Sequence, residues 1–72
     1  METRDIKSII LAGDYLSQEF TVGSDTYFSV KITKIVEHKK THTEGKWYFE
    51  IFSDEVLMAT IYGNNHIQVY YL

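Results

Sequence analysis

Polar and apolar residues alternate with a period of two along most of this chain. The pattern is strongest at Lys46-Trp47-Tyr48-Phe49-Glu50-Ile51-Phe52-Ser53. Successive side chains of a strand point to opposite faces, so Trp47, Phe49 and Ile51 share one face there, and Tyr48, Glu50 and Phe52 share the other. The same period predicts strands over residues 19–22, 26–38, 56–62 and 66–72. In 26–38, Phe28, Val30, Ile32 and Val36 form the apolar face. Lys34 interrupts that face and Ile35 the polar one, which points to a bulge or twist near Thr33-Lys34. In 56–62 both faces are largely apolar, with Leu57, Ala59 and Ile61 against Val56, Met58, Thr60 and Tyr62. A strand covered on both sides looks like this. In 66–72, Ile67, Val69 and Tyr71 point inward.

Turn chemistry separates these segments at Gly23-Ser24-Asp25, Glu44-Gly45, Ser53-Asp54-Glu55 and Gly63-Asn64-Asn65. One residue more or less at Asp54 would swap the face of 56–62 that meets Trp47, so the register stays open. The period changes at the N-terminus. Ile6, Ile9, Ile10 and Gly13 fall at i, i+3, i+4 and i+7, which predicts a short helix over 3–12. Thr3 would cap it, Asp5 would sit in its first turn, and Gly13 would stop it. A strand over 7–12 is the rival reading. The expected fold is α+β, a single domain over residues 1–72, in which the short N-terminal helix packs on a small antiparallel β-meander of four to five strands. An all-β small barrel or roll is the runner-up.

Length sharpens this picture. A chain of 72 residues buries only about 60% of its unfolded surface, so its core is marginal alone. There is no cysteine, which excludes disulfides and thiolate metal sites. Six Tyr, four Phe and one Trp would supply a dense core, an oligomer interface or both, and a homodimer is expected. Residues 1–20 have neither the layout of a signal peptide nor the length of a membrane span. The expected location is therefore the cytoplasm, with no membrane partner.

The net charge of −3 hides a pattern. Residues 30–46 carry five lysines and two acids, while the segments before and after are acidic. One hairpin is thus basic inside an acidic protein.

Candidate chemistry is sparse. His38 and His42 have a ligand-like spacing, but two lysines lie between them at a predicted hairpin tip, and no third ligand type joins them. Asp54-Glu55 is a solvated pair, no Ser or Thr stands in a nucleophile motif, and the glycines are isolated. No enzyme activity, cofactor or metal is expected. What remains is surface. Tyr48, Phe52, Met58, Tyr62 and Tyr70 fall opposite the main core and predict a partner-binding face, because Tyr and Met concentrate at interface centres. Lys39, Lys40, His42 and Lys46, near Tyr48, give the alternative of a small nucleic-acid or nucleotide-binding module. A small, acidic, cysteine-free, aromatic-rich chain without an active-site motif resembles, in size and character, the accessory inhibitors of phages and mobile elements, such as anti-CRISPR and other counter-defence proteins. That resemblance implies a non-enzymatic inhibitor acting by protein–protein contacts.

Overall fold

The computed structural model describes residues 2–13, 17–24, 30–39, 47–63 and 66–72. They form six antiparallel strands: β1 (Glu2–Ala12), β2 (Ser17–Thr21), β3 (Lys34–Lys39), β4 (Tyr48–Ser53), β5 (Val56–Tyr62) and β6 (Ile67–Tyr71). No helix occurs among them. The expected N-terminal helix is therefore wrong, and with it the α+β class: residues 3–12 lie in β1, the longest strand. The physical reason is a bulge. In the β1–β6 ladder Ile6 pairs with Tyr71 and Ser8 with Tyr70, which leaves Lys7 as an extra residue. One inserted residue turns a spacing of two into three, so Ile6 and Ile9 both reach the core. That i, i+3 spacing is what imitated a helix.

The same break recurs before β3. Ile32 and Ile35 are both buried, three residues apart, where the sequence suggested an irregularity at Thr33-Lys34. Thr33 anchors it. Its N–H donates to the Phe52 carbonyl at 2.9 Å, and its Oγ1 accepts from the Asp54 N–H at 2.6 Å. Asp54 itself turns the chain with φ at +54°, a left-handed conformation that Asp tolerates. After the break Ile35 and Glu37 point inward and Val36 points outward, so Val36 does not share the face of Ile32 as the alternation predicted.

β1 is the shared strand. Its first half pairs with β3 and its second half with β2, while β6 pairs with Ile6 and with Ser8–Leu11. Ile6 faces both Ile35 and Tyr71, and Ser8–Leu11 face both β2 and β6. One residue cannot pair twice on one edge, so β6 lies on the edge of β1 opposite β2 and β3. Beyond β3 come β4 and then β5. This is not the expected meander, because β6 follows β5 in sequence but crosses to the far side of β1.

That crossing forces curvature. Tyr62 lies level with Thr3, through the pairs Thr3–His38, His38–Tyr48 and Tyr48–Tyr62, whereas Ile67 pairs with Leu11. On a flat sheet the two would be about 30 Å apart, but the chain from Tyr62 to Ile67 spans at most about 17 Å. The sheet therefore curls into a half-barrel. Its inner face encloses Ile6, Ile9, Phe20, Ile32, Ile35, Phe49 and Ile51, with Leu11, Val22, Ile61, Ile67 and Val69 packed around them.

Candidate functional site

Two side-chain groups stand out, one on each face of β3 and β4. On the outer face, the hairpin register sets His38 opposite Tyr48, and Tyr48 opposite Tyr62. The three rings form a row across β3, β4 and β5. His38 and Tyr48 stack with centroids 4.4 Å apart and planes 6° apart, and Tyr48 meets Tyr62 at 6.2 Å, tilted by 51°. His38 Nε2 bonds the Glu50 carboxylate, which fixes the imidazole from its other side. Phe52 pairs with Leu57 farther along the same face. Lys34, Val36, His38, Glu50, Phe52 and Asp54 line a depression of about 330 Å³ there. It is shallow and open, and among the described residues no hydroxyl or thiol side chain lines it beside the His–Glu pair.

Of the five residues expected on the partner-binding face, the structure gathers Tyr48, Phe52 and Tyr62. Met58 is not among them. Ile51 pairs with Ala59 and Phe52 with Leu57, so Met58 is a second bulge residue, and it packs against the core. The bulge turns Leu57 outward in its place. Tyr70 does lie on an outer face, but on β6, across the sheet from β5. It is close to Lys7, Ser8, Ile10, Glu19 and Thr21. Alternation had already put Glu50 on this face, but sequence reading missed His38 as its partner there, because His38 drew attention only as a metal-spaced partner of His42. The usable signal was the hairpin register, which depends on a loop length that composition does not determine.

On the inner face, at the end of the half-barrel nearest Thr3, Glu37 is only 1% exposed. Its carboxylate accepts a bond from Trp47 Nε1 at 3.0 Å and from the Tyr71 hydroxyl at 3.1 and 3.2 Å. Arg4 lies over the Tyr71 ring, its guanidinium carbon 4.0 Å from the centroid, and the Lys39 ammonium lies 5.9 Å from that centroid. Burial pushes the Tyr71 hydroxyl above the ordinary tyrosine range. The bond to Glu37 and its negative charge push the same way, and Arg4 pulls against them. Trp47 is half-buried. Its ring lies against the Gly63 backbone, where a Cβ would come within 2.1 Å of the indole.

Of the basic residues expected to serve nucleic acid, Lys39 is exposed at the end of β3. Lys40, His42 and Lys46 lie outside the described residues. No group of three metal-ligating side chains occurs among the described residues, and no helix there is long and apolar enough to cross a membrane. No family model, no curated protein and no solved structure matches the chain.

Proposed function

We propose that this chain is a non-enzymatic binding protein that meets a protein partner through the outer face of β3, β4 and β5. The observation that carries this reading is the ring row of His38, Tyr48 and Tyr62, extended by Phe52 and Leu57. Every substantial contact between elements among the described residues is between hydrogen-bonded neighbours. Tyr62 is 63% and Leu57 47% exposed, and large rings at the centre of a flat patch are the usual anchors of an interface. The open depression beside the row suits recognition better than catalysis, which needs an enclosed, convergent set of polar groups. The finer reading, an inhibitor of the kind that phages and mobile elements encode, working in the host cytoplasm, is supported by size, acidity and the lack of an active-site motif.

The test is capture from a lysate of the source cell, with and without nuclease, using the native chain and the Phe52→Ala and Tyr62→Ala variants. A nuclease-resistant protein partner, lost in variants whose thermal melts stay near native, is the expected result. Unchanged capture by both variants overturns the reading.

One observation favours a second reading. Arg4 and Lys39 converge on Tyr71 beside Trp47, and cations beside rings are how sheets hold single-stranded nucleic acid. In that case an oligonucleotide binds, binding weakens steeply with salt, and Arg4→Ala abolishes it.

A further inference from the structure

A curled sheet that does not close leaves edges, and an edge strand presents a row of N–H and C=O groups ready to pair with another strand. Three strands here have a single strand neighbour among the described residues: β2, β5 and β6. Two of them carry a device that blunts pairing. Glu19 sits at the centre of β2, so a second copy pairing there antiparallel would set two carboxylates against each other. β5 carries the Met58 bulge. Leu57 points outward and Ile61 inward, so no two-fold centred near the middle of β5 keeps side chains of one face opposite each other. β6 has neither. Its residues Ile67-Gln68-Val69-Tyr70-Tyr71 contain no charge and no proline. The bulge in the β1–β6 ladder lies on β1, so β6 itself is regular. Among the described residues, none of the backbone bonds outside the strand ladders involves residues 67–71.

We propose that two copies of this chain join by antiparallel pairing of their β6 strands about a two-fold axis at Val69. In that register Ile67 faces the partner's Tyr71 on the inner side, and Gln68 faces the partner's Tyr70 on the outer side. Every pair then joins residues of the same face, which is the condition antiparallel pairing imposes. The Tyr70 hydroxyl already donates to Gln68 Oε1 of its own strand at 3.2 Å, and the two-fold offers the same bond between copies, twice. The exposed apolar groups at this edge, Tyr70, Tyr71 and Leu72, gain cover as the two half-barrels become one continuous sheet. A second copy is the fitting occupant because the strand is self-complementary in face and neutral in charge. A five-residue strand pair is a small interface, so the dimer forms and dissociates in the micromolar range.

The test is sedimentation velocity of the full chain from about one to several hundred micromolar. The native chain is expected to shift from monomer to dimer. The double variant Gln68→Lys with Tyr70→Lys sets lysines opposite lysines at two places on exposed outer positions. It should weaken the dimer at least about tenfold while the melting temperature of the monomer holds. Should that variant melt early, Gln68→Lys alone, at an exposed polar position, replaces it with a smaller shift in the same direction. Leu57→Lys, on the β5 edge, should leave association unchanged. In a chain without cysteine, Gln68→Cys with Tyr70→Cys should give a covalent dimer on mild oxidation. A monomer across the whole range, a dimer indifferent to the lysines at β6, or a dimer broken by Leu57→Lys each overturns the proposal.

Discussion

Glu37 and Glu50 sit on neighbouring strands, one register step apart, and face opposite ways. Glu37 pairs with Phe49, and the next pair is Val36 with Glu50. The inner carboxylate is buried and takes its bonds from uncharged donors, Trp47 Nε1 and the Tyr71 hydroxyl. It ties β3 to the start of β4 and to β6, on the far side of β1. The outer carboxylate is about a quarter exposed and holds a single imidazole in a row of rings. One residue type thus does two jobs. Inside, a charge is tolerated because every buried side-chain oxygen and nitrogen among the described residues has a partner. Outside, water can replace whatever partner is removed. Changes on the inner face should therefore act on stability, and changes on the outer face on recognition.

The largest effect belongs to the inner face at Phe49, which is fully buried. Phe49→Ala should lose about 3–5 kcal/mol, which is most of the stability of so small a domain. Urea denaturation measures it. A loss no larger than that of Tyr62→Ala on the outer face would abolish the contrast.

Gly63→Ala comes next. The added methyl would overlap the Trp47 ring, so the indole must move off both the Gly63 backbone and Glu37. A loss of about 1–3 kcal/mol is expected, with Trp emission shifted toward the solvated wavelength. Unshifted emission would show that the indole is not held against Gly63.

The two glutamates can be compared directly. Glu37→Gln keeps the shape but gives the Tyr71 hydroxyl and the Trp47 N–H one carbonyl oxygen to share, and should lose about 1–3 kcal/mol. Glu50→Gln keeps a bond to His38 in a partly hydrated pair and should change stability by less than about 1 kcal/mol. Equal losses would mean that burial does not separate the two faces.

The smallest effect is a pH dependence at Tyr71. Its hydroxyl loses a proton less readily in the folded chain than in the unfolded chain. Its contribution is therefore fully present below the ordinary tyrosine pKa of about 10, and it declines as pH rises through the higher folded value. Melting followed from pH 8 to 11 should fall more steeply for the native chain than for Tyr71→Phe. Parallel curves would show that Tyr71 does not respond to its surroundings.

Much of this was legible in the chain. β4 and its two faces and the inward set Ile67, Val69 and Tyr71 follow from alternation, and the Asp54 turn follows from its turn chemistry. Glu37 was not legible as a core residue, because an acid on a strand is usually solvated, and its three hydrogen bonds come from 10 and 34 residues away. Trp47 shares a face with Phe49 and Ile51 by alternation but lies half-buried at the rim of the core, with Phe49 in the centre. Only the level of the strand end within the half-barrel decides between them.

Beyond residue 12, local sequence determined the approximate place of most strands and turns among the described residues, because alternation and turn chemistry act over a few residues. Tertiary structure alone decided the bulges at Lys7 and Met58, the crossing of β6 to β1, and therefore which side chains share a surface. Each bulge shifts every residue beyond it to the other face, and its position is set by what the strand must pack against on the far side of the half-barrel. A single stretch of chain carries no record of that partner. This is why the spacing of Ile6 and Ile9 fits a helix equally well until β6 is laid beside it.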